Sequence, residues 1–282
     1  MIIVYLMGGL GNQMFCRAFG LALEKKGYDV TYTKRSLDCG PFAHLTNFSL
    51  GAFVGGGFDT LRIMDDVPPA HQVFKIQEMS MRYNPAMLEP RTSVTPNLTY
   101  PYIEMMGNWQ SEKYFQDIAD EVRQKFQFTK ARQPTWRARV YEEMIRVAPV
   151  SVAVHVRRGD YETYPTTRAH HGLLSLIYYK NAMKCIEDKV GPVRYFVFSD
   201  DIPWCEANMP GTIVKGTDKY DDLYLMSLCK HAITANSALS WWGAWLGDDK
   251  LNRIVVAPKR WLAASVDTSD VVPERWTKME DL

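Results

Sequence analysis

Val152-Ala153-Val154-His155-Val156-Arg157-Arg158-Gly159-Asp160-Tyr161 is the stretch of sequence that decides the fold. The apolar run Ser151–Val156 is typical of a buried β-strand, and two arginines, a glycine and an aspartate follow it at once. In an open α/β sheet, ligands bind at the carboxyl ends of the strands. Arginine carries a planar set of donors that matches phosphate oxygens. The stretch therefore predicts a strand that leads into a phosphate site, although a structural ion pair from Arg157 or Arg158 to Asp160 would use the same residues.

Strands and helices alternate on both sides of this stretch. Before it, the pattern predicts a strand Ile2–Leu6, a glycine turn, a helix closed by Lys25, Lys26 and Gly27, a strand Asp29–Thr33, a strand Tyr102–Met106 and helices over Tyr114–Phe126 and Pro134–Val147. After it, the pattern predicts helices over Leu173–Lys189, Asp221–Lys230 and Leu239–Leu246 and strands over Tyr195–Phe198, Ala232–Thr234 and Arg253–Ala257. Such alternation indicates an α/β chain with parallel sheets. We place a domain boundary between residues 129 and 149, which gives domains 1–140 and 150–282.

Residues 34–100 show only weak hydrophobic periodicity, so no long helix or strand is predicted there. Its glycines and prolines predict loops and short pieces, at Gly55-Gly56-Gly57, Pro68-Pro69, Pro85, Pro90 and Pro96.

Composition excludes several classes of protein. With 33 basic and 32 acidic side chains among 282 residues, the chain has no net field that would attract nucleic acid. The five cysteines are scattered without CxxC spacing, which favours neither a zinc ribbon nor a disulfide framework and predicts a reducing, cytoplasmic location. The first apolar run is too short for a signal peptide or a membrane span. No amphipathic basic helix stands out, so peripheral membrane contact is left open.

Two further segments carry candidate binding residues. Asn236 or Ser237 is predicted to cap the helix that follows, whose N-terminal N–H groups would attract an anion such as pyrophosphate. An ordinary N-cap explains the same residues, and we expect at least two of Trp241, Trp242 and Trp245 to be core. Phe198-Ser199-Asp200-Asp201 follows another strand, where a carboxylate could accept hydrogen bonds from a guanine edge or a ribose, or simply cap the helix around Trp204.

The glycine turn Gly8–Gln13 resembles a dinucleotide fingerprint only in part, because Met14 occupies the position of the third glycine. The sequence contains no GxxxxGK[ST] loop, no Asp-x-Asp triplet, no His-Glu-x-x-His and no Gly-x-Ser-x-Gly. These absences disfavour P-loop enzymes, the common metal-clamped nucleotide-sugar enzymes, zinc proteases and α/β-hydrolases.

Five segments together resemble the bacterial α-1,2-fucosyltransferases of glycosyltransferase family 11. They follow the order of the family along the chain: Gly8–Phe15, Trp109–Phe115, His155–Tyr161, Phe198–Asp201 and Asn236–Gly243. The resemblance implies a GT-B-like fold, with two Rossmann-like domains facing a cleft and the donor held mainly by the C-terminal one. It also implies transfer of fucose from GDP-β-L-fucose to the 2-hydroxyl of a galactose-terminated glycan, with inversion and with neither a metal nor a cofactor.

The resemblance also implies site residues. Arg157, which shares a strand face with His155 by alternation, is expected to hold the β-phosphate. His155 and Asp160 are the other catalytic candidates, and the proton acceptor stays open among His155, Asp160 and Glu162. The expected donor-site residues are Arg158, Ser199, Asp200, Asp201, Asn236, Ser237 and Ser240. Asn12 and Gln13 are expected to hold either the acceptor or the fucose. Trp109 is either a platform for the galactose ring or a core residue.

Three other functions compete with this one. They are transfer from another nucleotide-sugar on the same fold, a non-catalytic module that binds a sugar or nucleotide, and a dinucleotide-dependent oxidoreductase, which the missing third glycine disfavours.

Overall fold

The computed structural model describes residues 1–39, 47–54, 61–64, 68–91, 100–248 and 252–281. The predicted loops at Gly55-Gly56-Gly57 and Pro96 lie outside these ranges. Contacts divide the chain into two compact units, one of residues Met1–Gln133 with Ser269–Val271 and one of residues Pro134–Thr268 with Val272–Leu282. Each unit is built around its own parallel sheet.

In the described part of the first unit, four strands lie in the order β2-β1-β4-β3, and every pairing is parallel. The strands are β1 (Ile2–Tyr5), β2 (Val30–Thr33), β3 (Val73–Gln77) and β4 (Tyr102–Met106), and the helices are α1 (Leu10–Lys25), α2 (Arg35–Cys39) and α3 (Ala119–Lys125). Helix α1 is buried along most of its length, and Gly27, at φ 87°, follows its end as predicted. Short 3₁₀ turns at Glu112–Tyr114 and Gln116–Ile118 precede α3, where the pattern predicts one continuous helix.

In the described part of the second unit, six strands lie in the order β10-β9-β8-β5-β6-β7, again all parallel. The strands are β5 (Ser151–Val156), β6 (Arg194–Ser199), β7 (Thr212–Ile213), β8 (His231–Ile233), β9 (Val255–Pro258) and β10 (Thr277–Met279). The helices are α4 (Trp136–Val147), α5 (Gly159–Thr163), α6 (Pro165–His171), α7 (Leu176–Val190), α8 (Ile202–Asn208), α9 (Lys219–Leu228) and α10 (Ala238–Leu246).

Strand β5 is buried at all six positions, as an apolar central strand should be. Its side chains Val152, Val154 and Val156 pack with helix α7 in one core cluster. Helix α9 also contacts β5, while α10 contacts β8. The three tryptophans of α10 are all buried, which confirms the core prediction for Trp241, Trp242 and Trp245.

The prediction of an α/β chain with parallel sheets is confirmed, and β4 and β5 have the predicted bounds. Strand β3 was not predicted, because it lies in the weakly patterned stretch and its burial alternates imperfectly. Strand β10 was also missed, since three residues cannot display a period.

Candidate functional site

The order of the strands in the second unit creates a binding position beside β5. The chain runs from β5 outward through β6 to β7, and then returns to the other side of β5 to form β8. The carboxyl ends of β5 and β8 therefore flank a topological switch point, the position at which open α/β sheets bind ligands. Arg157 follows β5 there, and Asn236 and Ser237 follow β8.

Arg157 is held by two carboxylates. Its Nη1 lies 2.8 Å from Oδ2 of Asp200, which follows β6, and its Nη2 lies 2.6 Å from Oδ1 of Asp160. Its guanidinium also stands over the ring of Tyr161, 5.3 Å from the centroid. The side chain remains 33% exposed, so its other N–H groups can meet an incoming acceptor such as a phosphate oxygen. The ion pair to Asp160 proposed from sequence exists, and it positions the guanidinium without covering it.

Asp200 makes a second bond, which fixes the turn after β5. Its Oδ1 accepts the backbone N–H of Arg158 at 2.9 Å. Gly159 leaves room for this carboxylate, because a Cβ at that position would lie 2.6 Å from Oδ2 of Asp200. One aspartate thus joins the ends of two neighbouring strands and orients the guanidinium between them.

Arg158 has partners different from those of Arg157. Its Nε donates to Oδ2 of Asp201 at 3.0 Å, and its guanidinium covers the ring of Trp204 at 4.5 Å. Asp201 also accepts the N–H of Trp204 as the N-cap of α8, and Ser199 Oγ accepts the N–H of Asp201. The capping interpretation of Asp201 is therefore confirmed, and Arg158 is the more enclosed of the two arginines.

Helix α10 begins at the switch point with an uncapped N-terminus. Ser237 occupies the N-cap position, but its side chain makes no capping bond. The first helical bond within the described residues is from Trp241 N to Ser237 O, so the N–H groups of residues 238–240 have no intrahelical acceptor. Such groups, together with the helix dipole, favour an anion. Ser240 is 2% exposed, and its hydroxyl bonds to Ala235 O and Ser237 O, so the structure turns its side chain inward, away from the site.

Tyr161, His171 and Asn236 form a cluster beside Arg157. The ring of His171 stacks on Tyr161 at 4.4 Å, and Tyr161 Oη donates to Asn236 O at 3.2 Å. Asn236 Nδ2 donates to His171 O, while its buried Oδ1 has no hydrogen-bond partner among the described residues. Sequence reasoning assigned no role to Tyr161 and missed His171, since only the pair His170-His171 before a glycine marks that segment.

His155 lies inside the sheet at the level of this cluster. It pairs with Phe198 of β6 and is 5% exposed, and in the described part of the chain its Nδ1 has no hydrogen-bond partner. Burial lowers the pKa of His155 to about 4, an effect that Asp200 opposes and Arg157 reinforces. The imidazole is therefore neutral at pH 7 and offers a hydrogen-bonding atom rather than a charge.

The buried histidine predicts a loss of stability in mild acid. The unfolded chain binds the proton with a pKa near 6.5, whereas the folded protein binds it near 4, so the free energy of unfolding falls by up to a few kcal/mol as pH drops between these values. His171, whose pKa burial also lowers to about 4, adds to the same trend. We expect the difference in Tm between pH 7 and pH 5 to be smaller in His155→Gln than in the wild type. Equal differences would contradict the assignment of a neutral buried imidazole.

The structure does not bring Gln13 to a binding surface. Gln13 is 0% exposed; its Nε2 donates to Gly8 O and Asn47 O, and its Oε1 accepts Ser49 N–H. Asn12 is partly exposed and accepts a hydrogen bond from Gln110 Nε2 at 2.7 Å. Gln13 is thus a structural residue of the first unit, and Asn12 is the candidate that stays at the surface of the glycine turn.

Trp109 is a core residue. It is 0% exposed, stacks on Phe19 with ring centroids 4.1 Å apart, and has a left-handed backbone at φ 52°. Glu78 Oε2 accepts the N–H groups of Asn108 and Trp109, which holds this turn in place. A galactose ring has no access to Trp109 in this arrangement, so the platform interpretation is wrong.

The described residues provide neither a cluster of metal ligands nor a membrane-spanning helix. Within those ranges, His, Cys, Asp and Glu side chains do not gather in threes in a way that could hold a metal ion. No helix in the described part of the chain combines the length and the apolar character that crossing a bilayer needs.

Comparison with known proteins gives consistent matches. The profile of glycosyl transferase family 11 matches residues 86–280. An α-1,2-colitosyltransferase of Escherichia coli is 28% identical over 310 aligned positions that cover 99% of each chain. The O-antigen biosynthesis glycosyltransferase WbnK of the same species is 38% identical over 50% of this chain and 48% of its own. Galactoside α-(1,2)-fucosyltransferase 1 of Saimiri boliviensis boliviensis is 24% identical over 52% of this chain and 43% of its own.

Among solved structures, the α-1,6-fucosyltransferase NodZ soaked with GDP-fucose is similar in fold. The TM-score is 0.50 with 14% sequence identity, over 87% of this chain and 91% of that one. The predicted GT-B-like fold class is confirmed.

Proposed function

The chain belongs to glycosyl transferase family 11, and from that premise we propose that it transfers L-fucose from GDP-β-L-fucose to the 2-hydroxyl of a terminal β-galactoside. The product would carry an α-1,2 linkage formed with inversion at the anomeric carbon. The α-1,2 specificity in the names of two relatives, one of which acts on galactosides, supports the proposal.

The observation that carries the proposal is that Arg157 and the uncapped N-terminus of α10 lie at the same switch point of the sheet. When GDP leaves the anomeric carbon, negative charge grows on the β-phosphate. Fixed donors aimed at that charge stabilise the transition state more than the ground state. Arg157 supplies a charged donor, and the first-turn N–H groups of α10 supply neutral ones without a metal ion.

We assign the remaining residues around this pair. Asp160 and Asp200 position Arg157, while Arg158, Asp201 and Ser199 fix the turn on the side of α8. Asn236, just after β8, contributes a buried Oδ1 that the described residues leave without a hydrogen-bond partner. His155 is too enclosed to reach either substrate directly, so we give it a supporting role as a neutral side chain next to Asp200 and Arg157. Asp160 and Glu162, both partly exposed, remain the two candidates for the proton acceptor.

A second donor is favoured by one observation, the similarity to an α-1,2-colitosyltransferase along 99% of the chain. Colitose is L-fucose without its 3-hydroxyl. A site that hydrogen-bonds this hydroxyl rejects the deoxy sugar by ~10⁴-fold, whereas an apolar contact at the same place discriminates only weakly. The ratio of kcat/KM for GDP-fucose and GDP-colitose therefore tells which donor the site is built for.

The test is product formation from GDP-fucose and lactose in EDTA, followed by NMR of the new linkage. We expect an α-1,2-fucosylated product. Tight binding of GDP-fucose without turnover would retain the donor site and refute lactose-like acceptors. If no GDP-sugar binds, the proposal is wrong.

A further inference from the structure

Helix α4 has two opposite apolar faces, although only one of them is buried. Ala138 and Ile145 are 0% and 3% exposed and lie on the side of α4 that meets the rest of the second unit, where the helix contacts α9. Trp136, Val140 and Val147 are 68%, 52% and 64% exposed. At about 100° per residue, these three side chains fall within one narrow stripe, opposite Ala138 and Ile145. We call this stripe the outer face of α4.

Charged side chains flank the outer face on both sides. Arg137 lies on one side, where its guanidinium stands over the Trp136 ring at 4.8 Å. Arg139 and Arg146 lie on the other side together with the exposed Glu143, which is nearer to Trp136 around the helix than they are. Arg146 is paired with Glu142 at 2.8 Å, which leaves Arg137 and Arg139 with no carboxylate partner among the described residues. An exposed tryptophan with basic neighbours is the composition that settles at a bilayer surface, where the ring sits at headgroup depth and the guanidinium groups meet lipid phosphates.

The area of the outer face argues against a second copy of the chain as its partner. Three side chains offer at most several hundred Å² to a partner, whereas a standard protein interface buries about 800 Å² on each partner. A bilayer requires no complementary shape, and burial of the apolar stripe and attraction of the arginines to anionic lipids both contribute to weak, reversible binding.

We propose that the outer face of α4 docks the protein on an anionic phospholipid surface, with the helix lying in the headgroup plane. This proposal is independent of the proposed function, because its readout is binding and not transfer.

The primary test uses vesicles of phosphatidylcholine with and without about a third of phosphatidylglycerol. We expect co-sedimentation with the anionic vesicles, weakened by salt, and little with the neutral ones. Of the eight tryptophans, Trp136 is the only strongly exposed one. Brominated lipids should therefore quench the fluorescence of the wild type but not of Trp136→Phe, which should still bind.

Variants test whether vesicle binding depends on the outer face of α4 or is non-specific adsorption. Replacing Trp136, Val140 and Val147 together by Ser should weaken vesicle partitioning by ~10-fold or more, since binding scales with buried apolar area. Arg137→Gln and Arg139→Gln should each weaken it about fivefold. Ile177→Ser, which removes a 53% exposed side chain from α7, is the matched control and should change nothing.

Three results would overturn the proposal. They are absence of wild-type binding at low salt, equal binding by the triple variant, and equal binding to neutral and anionic vesicles. A dimer in light scattering that disappears in the triple variant, without vesicle binding, would assign the outer face to self-association instead.

Discussion

Replacing Arg157 by Ala is expected to lower kcat for fucosyl transfer by ~100-fold or more, because the leaving β-phosphate loses its charged donor. The protein should stay folded, since the side chain is 33% exposed and its ion pairs with Asp160 and Asp200 are partly solvated. Arg157→Lys should recover only part of the rate, because an ammonium keeps the charge without the planar set of donors.

Measuring the affinities for GDP and GMP tests whether Arg157 acts on the β-phosphate. GDP carries the β-phosphate and GMP does not, so Arg157→Ala should weaken binding of GDP while binding of GMP is retained. Arg194→Ala, which removes an exposed arginine from the amino end of β6, opposite the end that carries Asp200, is the matched control and should keep wild-type turnover. Wild-type activity in Arg157→Ala, or equal losses of GDP and GMP affinity, would refute the assignment.

Replacing Asp200 by Ala should have the second largest effect, a loss of ~10-fold or more in kcat. Its carboxylate holds Nη1 of Arg157 and the backbone N–H of Arg158 at the same time. Without it the guanidinium loses one of two fixed contacts, and small errors in the position of a catalytic group are costly. Asp200→Asn keeps an oxygen acceptor and should restore part of the activity.

The same pair of nucleotides distinguishes positioning from direct recognition by Asp200. If Asp200 acts through Arg157, Asp200→Ala should lower affinity for GDP and spare GMP. Equal losses for both nucleotides would mean that Asp200 contacts the guanosine itself. Asp201→Ala is the contrasting variant: it removes the N-cap of α8 and should cost about 1 kcal/mol of stability with little change in kcat.

Much of the second unit could be predicted because its signals are local. The apolar run of β5 and the helical spacing of apolar residues in α10 depend only on neighbouring residues. The predicted bounds of both elements lie within one residue of the observed ones. The first unit was harder. Strand β3 carries Lys75 and Gln77 on exposed positions, which removes the apolar run that would announce it.

Burial was not predictable from sequence at particular polar and aromatic residues: Gln13 was assigned to a ligand, and Trp109 was left open between a ligand and the core. Gln13 and Trp109 belong to motifs, and such side chains are equally suited to a ligand or to a core. Their environment depends on the segments that pack over them, such as residues 47–49 for Gln13 and Phe19 for Trp109. The outer face of α4 escaped notice for the opposite reason, because apolar side chains in a helix are normally assigned to the core.

By itself, the sequence determined the parallel α/β class, the strands around which the second unit forms, and the identity of Arg157 and the segments 198–201 and 236–243 as candidates. These features follow from the spacing of apolar residues, from turn residues and from the motifs and their order along the chain, all of which can be read from the sequence without knowing which segments meet. Only the tertiary structure decided which segments meet. Strand order places β8 beside β5 and β6 on its other side, and this order brings Ser237 and Asp200 to the edge where Arg157 lies. Pairing of distant strands depends on how whole helices and sheets bury their faces, and no local pattern encodes it.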